Sequence, residues 1–153
     1  MHAKNHTSEK DSPVDERAEH FNRCEFARLL GMQILDLWPG GAKVSMDIAD
    51  KRNPLGKMHG GAIFSLADHA FALAANSGGD PQVALSAQIT YISPSTGRLV
   101  AVAERVSENE TGSLVCVKVW DGERLVASLE GIGIKMVEGR KREGRYNFFK
   151  SSP

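Results

Sequence analysis

The run GGAIFSLADHAFALAAN, from Gly60 to Asn76, limits the folds open to this chain more than any other stretch. It is apolar nearly all round, rich in small alanines, and followed by Gly78-Gly79, which predicts a helix that stops there. A helix apolar on every side belongs inside a fold, enclosed by other elements. Its charged content is Asp68, joined by His69 only when that imidazole is protonated.

What lies after this helix reads as strand. VALSAQITYI, from Val83 to Ile92, alternates Val83, Leu85, Ala87, Ile89 and Tyr91 against Ala84, Ser86, Gln88 and Thr90. Arg98–Val106, Ser113–Trp120 and Arg124–Met136 follow, separated by SPSTG, by SENETG and by the hairpin dipeptide Asp121-Gly122. Ahead of the helix, Gln33–Trp38 and Ala42–Ala49 flank Pro39–Gly41 as a further hairpin, and residues 50 to 58 read as a loop. Asp15–Leu30 predicts a short amphipathic helix with Phe21, Cys24, Phe26 and Leu29 near one face, stopped by Gly31. The sum is an α+β fold, an antiparallel sheet of six strands wrapped around one buried helix.

A length of 153 residues suits a single domain, expected over 15–137. Residues 1–14 are polar and expected to be disordered; residues 138–153 form a basic tail containing GRKREGR, read as solvated. The 19 basic and 19 acidic residues cancel, so no global field calls for nucleic acid or membrane as a partner. The longest apolar run, Ala62–Ala75, is broken by Ser65, Asp68 and His69 and is too short to span a bilayer. No signal-peptide core precedes it, and the expectation is a soluble cytoplasmic protein. Cys24 and Cys116 lack metal or redox spacing and are expected as packed thiols.

Two features of the helix carry chemistry. Its mouth holds Gly60 and Gly61 where a Ser, Thr, Asp or Asn cap would be usual, so its first amides are expected to be bare. An oxyanion forming there would gain about 3 kcal/mol per well-placed donor. The same glycines also suit a tight turn into the helix. Asp68, a lone carboxylate in an apolar helix, is a candidate base or nucleophile because burial pushes such a group to hold its proton. An acid satisfied by backbone amides, or by a neighbouring chain's Lys or Arg, is the alternative. Eight residues from Gly60 to Asp68 amount to about 12 Å along a helix, too far for one small electrophilic centre. Two helices running antiparallel across a twofold would bring each mouth beside the other chain's Asp68. Cooperation between these residues therefore requires at least a dimer. On the loop side of the mouth, Asn53 can donate to a carbonyl and His59 can donate or orient, or either can serve its own loop. Nothing is spaced for a metal, and no GxSxG, P-loop or GxGxxG is present.

NPLGKMHGGAIFSLADHAFALAANS, Asn53–Ser77, followed by a strand ending YISP, resembles the hot-dog-fold acyl-CoA thioesterases, most closely the phenylacetic-acid-degradation (PaaI-like) subgroup. The resemblance covers roughly residues 26 to 136, and the combination of Asn53, HGG and LAD followed by ALAANS is its specific part. It implies a hot-dog fold, homodimers often paired into tetramers, and hydrolysis of aryl- or medium-chain acyl-CoA to free acid and CoA. It further implies Asp68 as general base or nucleophile, the Gly60 amide as donor to the thioester oxygen, and Gly61 beside it as a substrate-binding residue. Asn53 would place the carbonyl or the attacking water, and His59 would line the site. Coenzyme A is then part of the substrate and no separate cofactor or metal is implied. Some thioesterases of this architecture have a hydroxyl residue one turn after the acid; Ala72 stands there. A hot-dog hydratase or dehydratase pairing His59 with Asp68, and an acyl-CoA-binding protein without turnover, are the competing readings.

Overall fold

Residues 20–136 are those that the computed structural model describes, so the expected leader, the basic tail and the first residues of the Asp15–Leu30 helix lie outside the described residues. A short helix α1 (Glu25–Leu29) leads into strands β1 (Gln33–Trp38) and β2 (Gly41–Met46), joined at Pro39–Gly40. The long helix α2 (Gly60–Asn76) comes next, then β3 (Gln82–Tyr91), β4 (Leu99–Glu108), β5 (Gly112–Asp121) and β6 (Arg124–Lys135). All pairings are antiparallel, in the order β1-β2-β4-β5-β6-β3. The chain thus leaves β2 through α2 and starts β3 at the far edge, beyond β6.

The period-2 pattern explains which face meets α2. Val44 and Met46 on β2, Leu99, Ala101 and Ala103 on β4, Val115, Val117 and Val119 on β5, and Ala127 and Leu129 on β6 are buried with Leu66, Ala67, Ala70, Phe71 and Leu73 of the helix. Burying each large side chain is worth about 1.5–3 kcal/mol. Small residues let the helix come close. A Cβ at Gly131 would lie 2.5 Å from the Phe71 ring, so the ring packs where β6 carries no side chain. One stripe of α2 is left uncovered by these strands: Gly61 and Ala72 are exposed, and Phe64, Ser65, Asp68, His69 and Asn76 are half-buried.

The C-terminal end of α2 is closed by long-range partners. Arg105 Nη2 donates to the carbonyls of Ala74 (3.1 Å), Ala75 (3.2 Å) and Gly78 (2.8 Å). Asn76 accepts the Gln82 amide (2.8 Å), and Gln82 Nε2 donates to the Ala75 carbonyl (3.1 Å). Arg105 also pairs with Glu108 at 2.8 Å, and Lys135 reaches the same carboxylate at 3.1 Å. Those two bonds, Lys135's first, hold the Glu108 carboxyl below the ordinary carboxylate range. A cation over the last carbonyls offsets the negative end of the helix dipole.

Three expectations need correction. The α1 segment is only five residues long, too short for a stripe: Ala27 is its buried residue, while Phe26 (56%) and Leu29 (78%) are exposed. Cys24 stands exposed at the N-cap position of this helix, with no side-chain cap bond, instead of packing as a thiol; Cys116 is half-buried. On β3 the strict alternation fails, because the pairing with β6 shifts between Ala84 and Ser86. Leu85 is the extra residue of that bulge and is exposed.

Candidate active site

The loop ahead of α2 builds itself around Asn53. Its Oδ1 accepts the amides of Leu55 (2.9 Å) and Lys57 (3.0 Å), while its own backbone amide donates to the Lys57 carbonyl (2.7 Å). Gly56 takes the left-handed conformation this turn needs, at φ 73°. With Oδ1 spent on the loop, the Asn53 side-chain NH2 is the free half of the group, without a partner among the described residues. The loop is tied down by Met58 donating to the Ser95 carbonyl and His59 donating to the Lys51 carbonyl, both at 2.8 Å.

The mouth is not bare. His59 occupies the cap position, and its Nδ1 accepts the Gly61 amide at 2.9 Å. Imidazole stands outside the usual list of caps, yet an unprotonated ring nitrogen offers the same acceptor as a Ser or Asp oxygen. The His59 carbonyl accepts the amides of Ala62 (2.9 Å) and Ile63 (3.1 Å). That leaves the Gly60 amide without a partner among the described residues. Of the two glycines, Gly60 has an N–H to offer, and Gly61 has its own engaged.

A further residue stands at the mouth. Tyr91, at the end of β3, donates its hydroxyl to the Gly60 carbonyl at 3.1 Å. The alternation of β3 puts Tyr91 on a face, but no local signal names a partner 31 residues away in sequence.

Asp68 lies two turns further along α2, on the uncovered stripe. It has no hydrogen-bond or ion-pair partner among the described residues, and burial lifts its carboxyl above the ordinary value of 3.8. The same desolvation lowers the imidazole of the adjacent His69. So the structure gathers His59, Gly60, Gly61 and Tyr91 at one point, with Asn53 on the loop that feeds it. It does not bring Asp68 to that point within one chain: eight residues of helix keep them about 12 Å apart.

Elsewhere, a cavity of about 470 Å³ opens at the other end of α2, between Trp38, Gly40, Ser77, Gly78, Glu104 and Arg105, and includes no mouth residue. Among the described residues no three His, Cys, Asp or Glu side chains gather as a metal site. No helix among them is long and apolar enough to cross a membrane.

Known proteins resemble this chain in sequence and fold. The family model described as the thioesterase superfamily matches residues 55–128, a span that contains both the helix mouth and Asp68. A protein of Archaeoglobus fulgidus, provisionally described as an esterase, is 34% identical over 130 residues, covering 82% of this chain and 84% of its own. The acyl-coenzyme A thioesterase PaaI of Escherichia coli K12 is 42% identical over 69 residues, 44% of this chain and 49% of that one. The structure of the E. coli PaaI protein from the phenylacetic acid degradation operon aligns with a TM-score of 0.75 at 27% identity, over 81% of this chain and 96% of that one. A mutant of the phenylacetic acid degradation protein PaaI from Thermus thermophilus aligns with a TM-score of 0.70 at 37% identity, over 72% of this chain and 98% of its own. The sheet and central helix are the hot-dog fold of these PaaI-like proteins, and the chain belongs to the thioesterase superfamily.

Proposed function

We propose that the protein hydrolyses aryl- or medium-chain acyl-CoA thioesters to free acid and CoA. The observation that carries this reading is a pair of groups on one helix, a half-buried acid and an N-terminal amide, each without a partner among the described residues. An unpartnered carboxylate in a desolvated place is a base in waiting, and an unpartnered amide at a positive helix end is an oxyanion donor.

In this mechanism the thioester oxygen sits on the Gly60 N–H, and the free NH2 of Asn53 orients that carbonyl or the attacking water. Gly61 offers close approach to the substrate rather than an amide, since its N–H serves His59. Because His59 Nδ1 accepts, the neutral ring carries its proton on Nε2 and lines the site as a donor. Asp68 takes a proton from water as the new C–O bond forms. The tetrahedral intermediate then breaks its C–S bond and expels the CoA thiolate, which takes that proton from Asp68. Direct attack by the Asp68 carboxylate, through an anhydride that water opens, uses the same groups.

A second copy supplies the missing distance. With α2 helices antiparallel across a twofold, Asp68 of each chain sits beside the other's Gly60. The β3 edge is the natural seam: Val83, Leu85 and Ile92 expose apolar side chains along or just after a strand with one side unpaired among the described residues. Pairing of such dimers into tetramers, a single domain over 15–137 and a cytoplasmic location, where acyl-CoA is at hand, complete the reading.

Thiol release from a panel of aryl- and alkyl-CoA esters tests it. Asp68→Ala is expected to lower kcat/KM by about 10²–10⁴, the span usual for a lost general base. The wild-type rate should fall on the acid side with an apparent pKa above 3.8, since the carboxyl is raised and must be ionised to act. Full kcat/KM in Asp68→Ala on every hydrolysed ester would remove the assignment.

A further inference from the structure

The helix mouth is held by more than the helix. Tyr91 Oη donates to the Gly60 carbonyl at 3.1 Å, and its ring lies so close that a Cβ on Gly60 would meet the edge at 3.6 Å. That carbonyl belongs to the Gly60–Gly61 peptide, whose N–H donates to His59 Nδ1 at 2.9 Å. One peptide plane is therefore pinned at both ends, by a phenol from β3 and by an imidazole from the loop. The preceding plane, His59–Gly60, is pinned at its carbonyl by the Ala62 and Ile63 amides. Its N–H is the unpartnered Gly60 amide. Two successive fixed planes remove the rotational freedom that glycine otherwise brings to such a position.

The bonds also reinforce one another. A donor on a peptide carbonyl polarises the peptide, so its N–H becomes a stronger donor in turn. Tyr91 thereby strengthens the bond that keeps the His59 proton on Nε2. We propose that Tyr91 is a positioning residue for thioester hydrolysis: through the Gly60–Gly61 peptide it aims the Gly60 amide and locks His59 in the Nε2–H form. This rests on the hydrolytic reading of the mouth given above. Its hydroxyl is spent on Gly60, so it acts through its neighbours and not on the substrate. A donor held in place before the charge develops stabilises the transition state more than one that must first be ordered. Loss of the phenol keeps the donor and loosens its aim, which lowers kcat and leaves KM nearly unchanged.

Tyr91→Phe removes the hydroxyl and keeps the ring against Gly60. The expected result on the best acyl-CoA ester is a kcat about three- to tenfold below wild type, with KM within about twofold. Nitrogen-15 NMR of the His59 ring supplies a readout that a merely structural role would not move. The wild-type protein should show a bare Nδ1 and a protonated Nε2, and the variant a mixture of both tautomers. A wild-type kcat, or an unchanged pair of ring-nitrogen signals, overturns the proposal. Asp68→Ala assayed beside it separates the two ideas. If that variant keeps full turnover, the hydrolytic reading falls and the aiming role with it, while the NMR still decides whether Tyr91 locks His59. If Asp68→Ala is dead and Tyr91→Phe turns over like wild type, the positioning role alone falls.

Discussion

At the C-terminal end of α2, one guanidinium donates to three carbonyls, and Gln82, held by Asn76, adds a second donor to one of them; at the N-terminal end, His59 takes one amide and the Gly60 N–H has no partner among the described residues. Both ends start from the same physical problem, since any helix leaves its terminal backbone groups unpaired. The chain satisfies one end from distant strands and leaves the other partly open, two turns from a half-buried acid that has no partner among the described residues. Closure of the first end serves stability. In the proposed mechanism, openness of the second leaves unsatisfied groups where a substrate would satisfy them, and such groups are a recurring cost of functional sites.

This contrast can be broken by substitution at either end. Arg105→Ala, which strips three carbonyls and leaves Glu108 to Lys135 alone, is expected to lower stability by about 2–3 kcal/mol in urea unfolding. Turnover per folded molecule should stay at the wild-type value. A variant as stable as wild type but slow would show that the closed end also serves the site. His59→Ala removes the cap and should cost about 1 kcal/mol, read from the same urea midpoint. Unlike the Arg105 change, it should also reduce turnover, because the cap stands in the proposed site. The smallest effect sharpens the comparison most. Asp68 has a raised carboxyl pKa, so its favourable contribution is fully present below 3.8 and is lost as pH rises through the folded-state value. Asp68→Asn should therefore be the more stable protein at pH 7 by less than about 1 kcal/mol, solvent screening being substantial at a half-exposed group. That advantage should vanish as the pH falls toward 3.8. A destabilised Asn variant at pH 7 would mean that the acid is held by a partner, and that the site end is built for stability as well.

The parts of this molecule that follow from local pattern were legible in the sequence. The helix from Gly60 to Asn76, the hairpin at Asp121-Gly122 and the isolation of Asp68 each rest on neighbours in the chain. The His59 cap was missed because its acceptor depends on which ring nitrogen holds the proton, a property no residue type announces. Tyr91 and Arg105 were missed for another reason. Their partners lie about thirty residues away, and only the packing of β3 and β4 beside α2 decides that they meet. The bulge at Leu85 defeated the alternation because one added residue turns the rest of a strand over without changing its composition. Among the candidate residues, Gly60, His59 and Asn53 were nameable from the motif. Which of the two glycines keeps its amide free was not.

The position of β3 at the far edge has a consequence for the order in which the site comes into being. Among the described residues β3 pairs with β6 alone, and β6 is the last strand of the sheet to be made. While the chain is still emerging from the ribosome, Tyr91 has already been synthesised but has no strand to lie against, and the Gly60 carbonyl waits without its phenol. A nascent chain can gather β1, β2, β4 and β5 around α2 and still lack a finished mouth. The helix-mouth residues of the proposed mechanism have all been made by the time Tyr91 is translated, and the mouth is complete only after about forty more have followed.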